Sequence, residues 1–528
     1  MKILVADKLA VAALEMLRAQ PDCELIVSDP QGFHAHLSEA EGLLVRSAAK
    51  VPRDVIERAP RLRAVGRAGI GVDNIDLEAA TAAGVLVMNT PGGNSVSVAE
   101  HTLALMLSMA RAIPQASAST RSGAWEKKKF LGSELRDKTL GVIGLGSIGR
   151  EVVRRARAFE MRVLAADPYV SPQWAADMNI ELVDLNRLLT ESDYISLHVA
   201  LTPETRNMIS TAQFAMMKKG VRIVNCARGG IIDETALAEA MKSGHVAGAG
   251  LDVFSQEPPA GSPLLELDGV VATPHIGGST GEAQEIVGIQ IAEQMVRYLR
   301  EGVAINAVNM PAVSPEQYKK VGPYIGLAEK LGAFAAQVAP GNPKTVRLVY
   351  QGEIGAGNTN LIRNGGLAGV LNSYLSQRVN VVNSMQIAQQ RGLSVAERHD
   401  GRSGHTDSIR LELETDKGMT VVGGAIVLDK PRLLQIDGIY LEATLRGNLM
   451  YMKNKDVPGV IGQIGTILGR NGINIANFSL GREETPAVPG EILRAVAVVE
   501  TDGLVPEEAL QELRAVPAVL LARNVTLS

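Results

Sequence analysis

A glycine-rich turn between two short apolar strands constrains this chain more than any other stretch. Leu140, Val142 and Ile143 read as a buried strand, and Gly144-Leu-Gly146-Ser-Ile-Gly149 turns it into a helix. Val152, Val153, Ala156 and Phe159 fall on one side of that helix, and Val163 to Ala166 form a second strand with Asp167 at its end. A G-x-G-x-x-G run carries meaning only in this strand–turn–helix–strand context. The first glycine permits the tight turn, the second lets backbone approach a pyrophosphate, and the third lets the helix pack close to the strand. Ser147 and Ile148 open the helix, where unpaired N–H groups and a partial positive charge favour phosphate. Asp167 stands 18 residues beyond Gly149, where a carboxylate accepts hydrogen bonds from ribose hydroxyls and repels a 2′-phosphate. The stretch predicts a dinucleotide site that favours NAD over NADP.

A chain of 528 residues is too long for one core and suggests three or four domains. Short apolar strands at Ile3–Ala6, Glu24–Val27, Gly42–Val45, Arg63–Val65 and Val85–Met88 alternate with helical segments, which implies a parallel sheet covered on both faces. Ser95–Ala110 reads as a long buried helix, and residues 97–279 contain a second, six-strand doubly wound sheet. A helix from about Gly281 to Arg300 has no sheet of its own and is expected to return to the first. Residues 1–96 with 280–305 are therefore read as one discontinuous substrate-binding domain, and 97–279 as the nucleotide domain. Asn309–Pro315 reads as a linker. Composition then changes over 310–443, an α+β intervening unit with strands at Ile409–Glu414 and Thr420–Leu428. Residues 446–528 read strand, helix, strand, strand, helix, strand, a ferredoxin-like βαββαβ unit. The fold class is α/β, two Rossmann-like parallel sheets followed by two smaller α+β domains.

The net charge of −4 gives no electrostatic footprint for nucleic acid. Cys23 and Cys226 are the two cysteines, so there is no disulfide framework and no zinc-ligand spacing. The longest apolar stretch, Thr102–Ala110, is far below a membrane span. A cytoplasmic protein with no metal, membrane or nucleic-acid partner is the expectation.

Oxidising an alcohol beside a nicotinamide needs a base for the hydroxyl proton, a partner for that base and a cation for the substrate. Among eight histidines, His34 and His36 sit in a polar loop-like segment, and His399 and His405 lie beyond the nucleotide domain. His275 differs, because Thr273-Pro-His275-Ile-Gly-Gly278 follows the last strand of the second sheet and reaches its carboxyl rim. Asn225-Cys-Ala-Arg228 brings a guanidinium to the same rim, suited to clamp a carboxylate bidentately. Asp252-Val-Phe-Ser-Gln-Glu257 brings two acids there, and a carboxylate bonded to His275 would orient the ring. Arg46, Ser47, Arg67 and Gly69 fall at strand ends of the first sheet, which places them at a site edge rather than on a random surface.

Val45-Arg-Ser47, Gly66-Arg-Ala-Gly-Ile-Gly-Val-Asp-Asn74, the Gly144–Gly149 turn, Asn225–Gly230, Asp252–Phe254 with Glu257-Pro258, and Thr273–Gly277 together resemble the D-2-hydroxyacid dehydrogenase family. The ordered match spans about 1–305. The remaining residues, ending in a unit that resembles an ACT domain, narrow it to the long-form members that oxidise 3-phospho-D-glycerate with NAD, the entry step of L-serine synthesis. The resemblance implies His275 as acid/base, Glu257 as its acidic partner and Arg228 on the substrate carboxylate and keto oxygen. It implies substrate contacts from Arg46, Ser47, Arg67 and Gly69. Cofactor contacts are implied for Gly144, Gly146, Ser147, Ile148, Gly149, Asp167, Val199, Cys226, Ala227, Arg228, Asp252, His275 and Gly278. Val199 and Ile70 stand where some relatives carry threonine. Asn454, Asp456 and Asn474 match the serine-binding positions of regulated relatives, with Asn454 in place of a ring residue there. L-serine as effector and a homo-oligomer, dimer or tetramer, are further implications. Two alternatives stay open at this point: a reductase of glyoxylate, hydroxypyruvate or 2-oxoglutarate, and an NAD-sensing binding module like the corepressors on this fold.

Overall fold

The computed structural model describes residues 1–311, 313, 315–357, 359–400, 407–485 and 492–527. His405 and two residues of the 309–315 linker lie outside the described residues. Five strands, β1 Lys2–Val5, β2 Glu24–Val27, β3 Gly42–Val45, β4 Ala64–Arg67 and β5 Leu86–Met88, form the first sheet in the order β2-β1-β3-β4-β5. All its pairings are parallel. Parallel strands are buried on both faces, which is why Leu43, Leu44 and Val45 are apolar in succession rather than alternating. The helix Gly281–Glu301 returns to this sheet, burying Ile291, Met295 and Leu299 against one face, as its lack of a sheet of its own predicted.

The second sheet contains β6 Thr139–Ile143, β7 Arg162–Ala166, β8 Glu181–Leu182, β9 Tyr194–Leu197, β10 Val221–Asn225, β11 Val246–Leu251 and β12 Val270–Ala272. Its order is β12-β11-β10-β9-β6-β7-β8, so the chain reverses direction between β6 and β9. That reversal is the topological switch point, where a crevice opens beyond the strand ends. Six strands were expected; the seventh, β8, has two residues and pairs only with Leu164 and Ala165. Ser95–Arg111 is a 17-residue helix that buries Val98, Thr102, Leu105 and Met106 on this sheet. No single helix among the described residues is long and apolar enough to cross a membrane.

The remaining strands are β13 Pro343–Gln351, β14 Ser394–Asp400, β15 Ser408–Thr415, β16 Gly418–Val427, β17 Lys430–Ile436 and β18 Ile439–Thr444, then β19 Gly447–Lys455, β20 Ile475–Arg482, β21 Arg494–Thr501 and β22 Val519–Leu527. β13 to β18 make a mixed six-stranded sheet, richer than the two strands legible beforehand, and β19 to β22 an antiparallel one in the order β20-β21-β19-β22. The last two sheets share one core. Leu449, Tyr451, Val498 and Val525 bury with Phe334, Leu348 and Leu411, and Phe334 meets Tyr451 edge-on at 5.8 Å. Asn380 Nδ2 donates to Gly84 O at 2.8 Å, which docks this half of the chain on the first sheet just before β5.

Candidate active site

The glycine turn has the geometry its sequence asked for. Gly144 sits at φ +95°, and a Cβ there would lie 2.6 Å from the carbonyl of His198, the residue after β9. A Cβ on Gly149 would meet Gly144 O at 2.1 Å, so only glycine lets the helix Ser147–Ala158 start this close to β6. Gly146 is different, because a Cβ there would touch nothing within 4 Å. Protein contacts do not require glycine at that position, and the open space above it, facing a 12-residue helix N-terminus, is a cradle that fits a pyrophosphate. Asp167 accepts from Leu145 N at 2.7 Å and from Tyr169 N at 2.9 Å. Its carboxylate thus braces the turn and keeps lone pairs for ribose hydroxyls.

Beyond the turn, a cleft of about 610 Å³ runs between the two parallel sheets. Ile148, Val199, Cys226, Ala227, Asp252 and Gly278 line it from the nucleotide side, and Arg46, Ser47, Arg67 and Gly69 from the first sheet. Arg228, Glu257 and His275 line the same cleft. Gly144, Gly146, Ser147, Gly149 and Asp167 form the adjoining turn rather than this cavity.

His275 Nδ1 and Glu257 Oε2 are 2.8 Å apart, which leaves Nε2 as the ring nitrogen for a substrate. Their side chains are 50% and 40% exposed, so the pair is open to the cleft. The other Glu257 oxygen accepts from Phe254 N at 3.2 Å. His275 itself sits at φ +55°, a left-handed conformation uncommon for a residue with a side chain. Asp252 holds it there. This carboxylate is 1% exposed and accepts from Ile276 N and Gly277 N at 2.8 Å each and from Thr273 Oγ1 at 2.6 Å. His101 Nε2 approaches it at 3.3 Å. Burial pushes the Asp252 carboxyl up, but these donors outweigh burial and hold it below the usual aspartate range.

Arg228 donates through Nη1 to Ala227 O at 2.7 Å and through Nε to Asp73 Oδ2 at 3.1 Å. Arg67 is lowered to about 10, first by burial and then by the neighbouring Arg228 and Arg46 guanidiniums, with Asp73 opposing. It remains protonated at neutral pH, and its Nε is buried with no hydrogen-bond partner among the described residues. Three guanidiniums in one cleft, one of them imperfectly satisfied, fit a small ligand with more than one anionic group. Asp7 organises the Arg46 loop by accepting from Arg46 N, Ala48 N and Ala49 N at 3.2, 2.9 and 3.2 Å.

Cys226 is buried in this wall and its thiol is pushed up to about 12, so it contributes shape rather than a nucleophile. His198 also lines the cleft; burial lowers it to about 4, and its Nε2 lies 2.8 Å from Ser196 Oγ. A ring this reluctant to take a proton is unsuited to act as the base. Sequence reasoning singled out neither His101, Asp73, Asp7 nor His198. In the terminal sheet, Asn454 is 4% exposed, its Nδ2 donates to Lys455 O at 2.8 Å, and its Oδ1 is buried without a hydrogen-bond partner among the described residues. Asp456 pairs with Arg482 Nε at 3.5 Å, and Asn474 Nδ2 donates to Asp502 at 2.9 Å.

Residues 103–277 match the family model for the D-isomer specific 2-hydroxyacid dehydrogenase NAD binding domain. Residues 320–437 match the D-3-phosphoglycerate dehydrogenase intervening domain, and 450–518 the ACT domain. The D-3-phosphoglycerate dehydrogenase of Methanocaldococcus jannaschii is 45% identical over 520 residues, 98% of each chain. That of Bacillus subtilis is 38% identical over 528 residues, covering 100% of this chain and 99% of the relative. Among solved structures, D-lactate dehydrogenase from Aquifex aeolicus, complexed with NAD and lactic acid, superposes with a TM-score of 0.52 at 29% identity, over 59% of this chain and 100% of that one. A glyoxylate reductase from Paecilomyes thermophila gives 0.53 at 31% identity, over 60% of this chain and 99% of its own.

Proposed function

The chain belongs to the D-3-phosphoglycerate dehydrogenase family, and from that premise we propose how its cleft does the chemistry. Its activity is the NAD-dependent oxidation of 3-phospho-D-glycerate to 3-phosphooxypyruvate, an entry to L-serine. NAD, when bound, supplies the hydride acceptor. His275 takes the C2 hydroxyl proton at Nε2, because Nδ1 is committed to Glu257. Glu257 orients the ring and favours the imidazolium that forms. Arg228 grips the substrate carboxylate and stabilises charge on the reacting oxygen, while Arg46, Ser47, Arg67 and Gly69 take the rest of the anionic substrate. The observation that carries this reading is the convergence of the His275–Glu257 pair, Arg228 and Arg67 on one cleft, supplied by two different sheets.

The division of labour follows: residues 1–96 with 280–305 hold substrate, 97–279 hold NAD, and 310–443 with 446–528 regulate and assemble. In that last part Asn454, Asp456 and Asn474 are the effector positions for L-serine. A cytoplasmic homo-oligomer is part of the same proposal.

The test is NAD reduction with 3-phosphoglycerate, beside glyoxylate, hydroxypyruvate and 2-oxoglutarate, with and without L-serine. His275→Ala should lose about 10²–10⁴ in kcat while still binding NADH. Near-normal turnover in that variant would remove His275 from the mechanism, and no turnover of any acid by the wild type would favour a binding module.

A further inference from the structure

We propose that Asp73 is a displaceable counter-ion that occupies the carboxylate-binding edge of Arg228 between turnovers, and thereby sets the affinity for the acidic substrate. The proposal rests on the assignment of Arg228 to the substrate carboxylate. A guanidinium grips a carboxylate bidentately along one of its edges. One end of Arg228 is already used, since Nη1 donates to Ala227 O at 2.7 Å. The side-on edge carries Nε and Nη2. Nε donates to Asp73 Oδ2 at 3.1 Å. A Cβ on Gly71 would lie 1.7 Å from Nη2 and 2.8 Å from the same Asp73 oxygen, so both atoms crowd one corner of the cleft. Asp73 therefore faces the edge that a substrate carboxylate needs.

The other acids of the cleft are committed elsewhere. Asp252 anchors the His275 turn, and Glu257 faces His275 and Phe254 N. Asp73 is 75% exposed, and Arg228 is its only ion-pair partner among the described residues. An exposed pair of this kind shifts an equilibrium by only about 1.5- to 5-fold, so an incoming carboxylate can replace it. Asp73 lies just past β4 of the first sheet and Arg228 past β10 of the second, so the pair spans the cleft across 155 residues of sequence. Without Asp73, the Arg228 guanidinium would face Arg67 with one compensating carboxylate fewer. With it, Arg228 stays ordered while empty, at the cost of a competitor that substrate must displace.

Steady-state rates of full-length Asp73→Asn, Asp73→Glu and Arg228→Ala at low ionic strength test this. Asp73→Asn should lower KM for 3-phosphoglycerate about 2- to 5-fold with a smaller change in kcat. Asp73→Glu, which can still pair, should return KM close to the wild-type value. The difference between Asp73→Asn and wild type should shrink as salt screens the pair. A KM that is unchanged or raised in Asp73→Asn, or a fall in kcat at constant KM, overturns the counter-ion role. Arg228→Ala separates the two levels. If it leaves KM unchanged, the carboxylate assignment of Arg228 fails. If it raises KM while Asp73→Asn does not lower it, only the counter-ion proposal fails.

Discussion

Replacing Asp252 by Asn tests whether a buried carboxylate that need not touch substrate controls the placement of His275. One Asp252 oxygen accepts from Thr273 Oγ1 and Ile276 N, the other from Gly277 N. An asparagine amide has one oxygen, so in either orientation its NH2 faces a backbone N–H of the residues that follow His275. With 1% exposure, water has little access to the orphaned group. An unsatisfied buried donor costs about 1–3 kcal/mol. The turn can relieve that penalty by leaving the left-handed His275 conformation, at φ +55°, which only the surrounding bonds sustain. If the whole penalty falls on this equilibrium, correctly placed His275 drops about 5- to 150-fold. The loss should appear in kcat if His275 acts on the reacting proton as proposed. The wild-type carboxyl lies below the usual aspartate range. Its contribution is thus complete above about pH 3.9 and lost only as pH falls through the lower folded value. The ratio of wild-type to Asp252→Asn kcat should accordingly stay flat between about pH 6 and 9. Steady-state kinetics with 3-phosphoglycerate measure it, and far-ultraviolet circular dichroism checks that the sheets persist. A kcat within about twofold of wild type would show that the turn does not depend on Asp252.

Two variants of the nucleotide turn separate packing from binding. Gly149→Ala drives a Cβ to 2.1 Å from Gly144 O, so NADH binding followed by fluorescence should weaken about 5- to 150-fold. Gly146→Ala meets no protein atom within 4 Å; it should fold normally yet still bind NADH more weakly, and undiminished affinity would refute the cradle. Asp167→Asn removes the charge proposed to repel a 2′-phosphate and should raise kcat/KM for NADP relative to NAD about tenfold. An unchanged ratio would mean that Asp167 does not select the cofactor.

The nucleotide sheet was legible because its signals are local. Strand, glycine turn, helix and acidic strand end fall within thirty residues, and each constrains φ or burial on its own. His275, Glu257 and Arg228 were reachable by one further step, since residues after parallel strands share a rim. What sequence concealed depends on distant partners. His101 lies within a helix and meets Thr273 across 172 residues, with nothing in its own neighbourhood to mark it. Asp73 stands inside a recognised run but gains its meaning from Arg228. β14 reads Ser-Val-Ala-Glu-Arg-His-Asp, weakly apolar, and is a strand because its seven residues register against β13. β8 has two residues, too few for any periodicity.

Three aspartates repeat one device around this cleft, tying loops at its rim to the ends of buried strands. Asp7 follows β1, Asp167 follows β7 and Asp252 follows β11, so each stands at the carboxyl end of a parallel strand. None offers its carboxylate only to the ligand side. Asp7 gathers the N–H groups of Arg46, Ala48 and Ala49; Asp167 that of Leu145; Asp252 those of Ile276 and Gly277. Those are the loops that carry Arg46, the glycine turn and His275. Loop N–H groups at strand ends have no ladder partner, and left unpaired they would favour alternative conformations. A carboxylate accepts several of them at once and strongly, because the bonds are charge-assisted. Each loop is thereby tied to the end of a buried strand rather than to its own turn. Asp73 is the exception that defines the rule: it is exposed, it holds a side chain instead of backbone, and it alone of these four can let go.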